Sequence, residues 1–325
     1  MVPPKRSVPV ILALPLLILL GGACQTEDRS EPGVPTATLE GVTSLLGESL
    51  SSEGAFDEAT LSRLNADLDT ARTDFAAEPS ADNYIWLGRR TAYLWRYHEA
   101  IDIYTDAIAR FPEDPRLYRH RGHRYISVRN LDAAIRDLQR AARLMDGTED
   151  EVEPDGAPNA FNVPTSTLHF NVWYHLGLAH YLKGDFSEAL EAYRHCMTVS
   201  DNDDSVVATT DWLYMTLRRL RLDDEAEAAL QPISVNMNLL ENHSYHRRLL
   251  MYKGDLPVDS LLSPAGASAL DLATQGYGVG NWYLYNGDSA RAAGVFEEIT
   301  SGSYWPAFGY IAAEAELARL GTASD

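Results

Sequence analysis

One spacing constrains this chain more than any other: a glycine followed twelve residues later by an alanine, four times over. Gly88 precedes Ala100, Gly122 precedes Ala134, Gly177 precedes Ala189 and Gly280 precedes Ala292. The segments "ADNYIWLGRRTAYLWRYHEAIDIYTDAIARFPEDP" from Ala81 and "PRLYRHRGHRYISVRNLDAAIRDLQRAARLM" from Pro115 align at 34 residues, with Ala107 and Ala141 also in register. In a helical hairpin, two small residues at this separation let the backbones approach, and the large apolar residues around them fill the space to the next hairpin. A unit of this size cannot bury its apolar face alone, so the copies must stack.

The third copy, "FNVWYHLGLAHYLKGDFSEALEAYRHC", carries Trp173, Leu176, Gly177, Ala189 and Tyr193, and the first carries Leu87, Gly88, Ala100, Tyr104, Ala107 and Pro112. This pattern resembles the tetratricopeptide repeat family. The resemblance implies an all-α fold, a right-handed α-solenoid of five or six helical hairpins, over residues 81–325. Copies at 207–240 and 240–272 are less regular, Tyr214 replacing the glycine in the former. Residues 38–80 read as an irregular helical cap, and "SYWPAFGYIAAEAELARLG" as a closing helix stopped by Gly321.

The N-terminus predicts export. Lys5 and Arg6 precede "SVPVILALPLLILL", an apolar run too short to span a bilayer, and "GGAC" follows. Residues 1–23 are read as a signal peptide whose end resembles a bacterial lipoprotein box, with Cys24 as the lipidated first residue of the mature chain. The box departs from its usual form at Gly21, where such boxes carry Leu. A polar, Pro- and Gly-containing tether over 24–37 follows. The expected location is the bacterial cell envelope, with the membrane reached through the lipid. Only Cys196 would then remain free, so packing without a disulfide must hold the fold.

The formal net charge is −20, with 47 acids, which disfavours nucleic acid as a partner. Base is nevertheless concentrated at 116–130, "RLYRHRGHRYISVRN". The spacing between Gly122 and Gly177 is 21 residues longer than the repeat, and this insertion, at 146–166, holds Glu149, Asp150, Glu151, Glu153 and Asp155 and no base. Loops this long are usually functional or disordered. Two readings stay open here: a solvated loop, or one folded back onto the Arg-rich face.

No H-E-x-x-H, G-x-S-x-G or paired-carboxylate signature occurs, so no catalytic residue, metal or cofactor is expected. "GYGVG" at 276–280 lacks a surrounding βαβ unit and belongs to the repeat frame. In the resembling family the first helix of each hairpin lines a concave groove through its second, fifth, sixth, ninth and twelfth positions. That frame places Trp86, Arg89, Arg116, Arg119, His120, His123, Tyr174, His175 and Tyr181 in the groove. Arg121, Arg124 and Arg129 fall off this stripe and are expected on solvated surface. Arginine beside aromatic rings suits a carboxylate or an extended peptide. The expectation is a scaffold for a protein or peptide with an acidic segment. The alternative is a receptor or enzyme for a small anion in the same groove.

Overall fold

The computed structural model describes residues 41–262 and 268–322. Cys24, the signal peptide and the tether lie outside the described residues. A two-stranded antiparallel ribbon, β1 (Val42–Thr43) and β2 (Ser49–Leu50), comes first. Helices α1 (Glu58–Ala77), α2 (Ala81–Tyr93), α3 (Tyr97–Arg110), α4 (Pro115–Ser127) and α5 (Leu131–Met145) follow. After the inserted loop come α6 (Leu168–Lys183), α7 (Phe186–Thr198), α8 (Asp203–Arg219), α9 (Asp223–Leu230) and α10 (His243–Lys253). The chain ends in α11 (Ala269–Tyr285), α12 (Ser289–Thr300) and α13 (Phe308–Thr322). Among the described residues no helix is long and apolar enough to cross a membrane.

Local chemistry sets these boundaries. The side chains of Ser80, Asp114 and Thr167 accept from the backbone N–H of Asn83, Arg116 and Phe170, satisfying donors that the first turns of α2, α4 and α6 leave open. Asn202 with Ser205, and Ser268 with Asp271, form reciprocal capping boxes on α8 and α11. At the turn inside each hairpin one residue takes the left-handed conformation. It is Gly184, Gly254 or Gly287 in three hairpins, but Trp95, Arg129 and Arg221 in the others, with φ of 58°, 63° and 60°.

The repeated glycine is explained by its neighbour sixteen residues on. A Cβ built on Gly88 would lie 2.4 Å from the Tyr104 ring, and one on Gly177 would lie 2.7 Å from Tyr193. Leu138 and Phe296 crowd Gly122 and Gly280 in the same way. The alanines at plus twelve, Ala100, Ala134, Ala189 and Ala292, are fully buried beside them. Cys196 occupies the equivalent of Ala107 and Ala141, with its Sγ 3.2 Å from Thr209 Oγ1. Burial pushes this thiol up to about 12, so it is a packing residue and not a nucleophile.

The hairpin array of residues 81–322 is closed on itself. α13 packs on α11 and α12 and also reaches α6. Its Glu314 forms a two-pronged bond with Arg129 in the α4–α5 turn, Nη2–Oε1 at 2.7 Å and Nε–Oε2 at 3.0 Å, and also accepts from the backbone N–H of Leu45. Trp305, just before α13, packs edge-on against Trp95 and Tyr97 of the first hairpin, and its indole N–H donates to Ser51 O. Arg319 donates to Leu182 O at the end of α6.

Three expectations need correction. The segment before the repeats is not wholly helical: residues 42–50 form the ribbon, because Gly47 (φ 84°) turns the chain and Val42 and Leu50 bury their side chains. Gly321 does not stop α13, which runs through it to Thr322. Arg129 is not solvated, because α13 covers it and supplies Glu314.

Candidate functional site

Arg119 and His120 of α4 are brought together with Arg89 and Arg90 of α2, and the inserted loop lies across them. An isolated bridge between Val152 and Thr167 holds the base of the loop. Beyond it Glu153 enters the groove: one carboxylate oxygen lies 3.1 Å from Arg119 Nε and the other 3.3 Å from His120 Nε2. Asn171 of α6 donates to the same carboxylate at 2.8 Å. Arg89 Nη1 donates to Pro154 O at 2.6 Å, and Arg90 Nη1 to Gly156 O at 3.1 Å. A polar cavity of about 160 Å³ remains beside this segment.

The hydrogen bonds fix the protonation of His120. Arg119 Nη1 donates to His120 Nδ1 at 3.0 Å, so a neutral ring carries its proton on Nε2, the atom 3.3 Å from Glu153. Burial, then the charges of Arg119 and Arg89, hold His120 well below its ordinary value, so a neutral imidazole makes this contact. Burial likewise lowers Arg119 against the pull of Glu153.

His123 lies deeper. Its ring contacts His175 at 4.3 Å and Phe308 of α13 at 5.4 Å, and its Nδ1 accepts from Arg124 Nη2 at 2.6 Å. His175 Nδ1 donates to Asn171 O. Burial, with neighbouring arginine charge, depresses both imidazoles well below the usual histidine range. Among the described residues no group of three His, Cys, Asp or Glu side chains is placed to hold a metal ion.

The inward stripe is therefore not an open surface. Tyr174 donates to Tyr245 Oη and accepts from the Trp212 indole. Tyr181 is wholly buried and accepts from both Tyr277 Oη and Asn281 Nδ2 of α11. The next hairpins cover Tyr174, but α11 and α13 from the far end of the array cover Tyr181 and His175, which a frame of adjacent hairpins cannot foresee. Trp86 is half-buried beneath Arg89 and Arg90, and Arg116 is held by Asp114 and Asp82 at the groove edge. Of the bases expected off the stripe, Arg121 is gripped by both oxygens of Asp137, and Arg124 stacks on Tyr97.

Sequence reasoning missed Arg129, Glu314, Asp211 and Arg248, the members of two buried ion pairs. A signal existed for the first. Arg129 stands seven residues after Gly122, as Gly184 does after Gly177, and Trp95 stands likewise after Gly88. In these two turns the bulky residue that stands where another copy has glycine is held from outside its hairpin, by Trp305 and Glu314.

The sequence profile of the tetratricopeptide repeat matches residues 170–203, the span from the start of α6 to the start of α8. A search of curated proteins finds no match. Similar solved structures include the crystal structure of MamA, at 17% identity and a TM-score of 0.40, covering 62% of this chain and 99% of that one. A tetratricopeptide repeat protein from Parabacteroides merdae is 15% identical at a TM-score of 0.47, over 82% of this chain and 96% of its own. YrrB, a TPR protein described as having an unusual peptide-binding site, is 14% identical at a TM-score of 0.40, over 78% and 97%. The profile match falls on the third copy of a spacing that three other hairpins share, with each glycine packed on the residue sixteen positions later. Residues 170–203 thus form a tetratricopeptide repeat, and the described hairpins around it build an all-α solenoid.

Proposed function

We propose that this chain is a protein-interaction scaffold of the bacterial cell envelope. In this reading it receives an acidic, extended segment of a partner at Arg89, Arg119 and His120. One observation supports this above the rest: the chain's own Glu153 and Pro154 fill that place with a carboxylate and a backbone carbonyl. The site thus takes an acidic residue followed by extended backbone, and a partner would enter by replacing this segment. The alternative, a small-anion receptor or enzyme in the same groove, has less support, because His175 is buried and His123 packs against it and Phe308.

The test uses a fluorophore-labelled peptide of residues 149–158 and fluorescence anisotropy. Glu153→Gln removes the charge from the resident segment, and a charge-assisted hydrogen bond is worth about 1.5–3 kcal/mol. The peptide should therefore bind this variant roughly 10- to 100-fold more tightly than wild type. Adding Arg119→Gln should reverse the gain, and salt should weaken binding. Equal affinity for wild type and Glu153→Gln would overturn the reading.

We also propose that the mature chain begins at Cys24 and is held at a membrane by lipid there, as the "GGAC" box implies. Cys24→Ser should move the protein from the membrane to the soluble fraction of the envelope. Unchanged membrane association of that variant would remove the lipid anchor from the proposal.

A further inference from the structure

A second cavity, of about 780 Å³, opens between α1, the α2–α3 turn, α4 and the segment leading into α13. Its size falls in the range of small-molecule sites. Aromatic and apolar groups form much of its wall, among them Tyr93, Trp95, Tyr304 and Phe308. Trp95 is fixed edge-on between Phe56 and Tyr304, at 5.2 and 5.4 Å between ring centroids. Its backbone is held at φ 58°, a conformation costly for a bulky side chain and one that clusters at functional sites.

The charge of this lining is opposite to that of the chain. Arg63, Arg90 and Arg124 line the cavity with a single acid, Asp67, in a protein of net charge −20. Asp67 lies 3.8 Å from Arg63 and 3.4 Å from Arg90, so it serves both. Arg124 has no carboxylate within ion-pair distance among the described residues. Its contacts are the His123 imidazole and the face of Tyr97, neither of which carries a compensating negative charge. A half-buried guanidinium left without a counter-ion beside an aromatic wall is an electrostatic deficit that an anion would fill.

We propose that this cleft binds a small molecule of the aryl carboxylate class, with its carboxylate on Arg124 and its ring against Trp95 and Phe308. The site lies apart from the Glu153 contact and does not depend on the acidic-segment reading. Residues 156–158 of the inserted loop form part of its wall, so an occupied cleft would also help to hold that loop in place.

The probes are 1-naphthylacetate and its neutral, nearly isosteric amide, titrated calorimetrically into the folded protein. The acid should bind at one saturable site, about tenfold to a hundredfold more tightly than the amide, the size expected for one charge-assisted contact. Arg124→Gln should abolish this preference while leaving amide binding unchanged, which shows in the same experiment that the cleft is intact. Arg124→Lys should retain part of the preference, and Arg291→Gln, on an exposed arginine of α12, should retain all of it. Absence of saturable binding by the acid would overturn the proposal. So would equal affinities for acid and amide, or loss of preference in Arg291→Gln as large as in Arg124→Gln.

Discussion

Arg248→Met is expected to cost about 3–5 kcal/mol of unfolding free energy, the loss typical of removing one partner from a fully buried ion pair. Arg248 Nη2 lies 3.0 Å from Asp211 Oδ2, and neither side chain has measurable exposure. The guanidinium sits among the rings of Tyr245, Tyr277 and Trp212, at 5.4, 5.6 and 5.7 Å. Neither Asp211 carboxylate oxygen has a hydrogen-bond partner, so the arginine charge is its principal compensation. Burial pushes the Asp211 carboxyl up to about 7 even against that charge. Two consequences can be measured by urea unfolding. The loss should be smaller at pH 5 than at pH 8, because without Arg248 the carboxyl can take up a proton and shed the uncompensated charge. Arg248→Met combined with Asp211→Leu should recover most of the stability. A double variant no better than the single one would show that packing around the aliphatic stem, and not charge, makes Arg248 matter.

Acid should destabilise the protein before its surface carboxylates titrate. His120, His123 and His175 have folded-state pKa values held well below the ordinary 6.5 by burial first and arginine charge second. Below about pH 6.5 the unfolded chain therefore binds protons that the folded chain refuses, so stability is present above that pH and is lost as pH falls. Each such histidine contributes up to about 1.4 kcal/mol per pH unit. Asp211 acts in the opposite sense between its unfolded value and about 7, because there the folded chain holds the proton more tightly. The net slope between pH 6 and 5 should be near two protons, about 3 kcal/mol per unit. His123→Phe preserves a ring between His175 and Phe308 and should reduce this slope by about one proton. A stability curve flat from pH 7 to 5 would mean that these imidazoles are more accessible to water than their packing implies.

The repeat frame was legible in the sequence because its cause is local. Gly88 and Gly177 must be glycine for a reason found within their own hairpins, the rings of Tyr104 and Tyr193. Arg89, Arg119 and His120 stand together around Glu153 and Pro154, a neighbourhood that helical periodicity decides. What lies over the face was not legible. Glu153 arrives from an insertion without periodicity, and Phe308 and Glu314 come from a helix that reaches back to the early hairpins. A pattern of neighbours cannot encode a pairing across 185 residues such as Arg129 with Glu314. Tyr181 shows this most plainly. Its place in the frame points it inward, and inward here means a core shared with α11 and not a groove.

The turns at Trp95 and Arg129 have a consequence for how such a protein can change in evolution. An open solenoid lengthens by duplicating a unit, because each unit answers only to its neighbours. Here two side chains in left-handed turns of the first and second hairpins grip Trp305 and Glu314 at the far end. An added or deleted hairpin between them would carry the far end out of register, leaving two strained turns unsupported and Glu314 buried without its cation. The number of repeats in this chain is thereby locked.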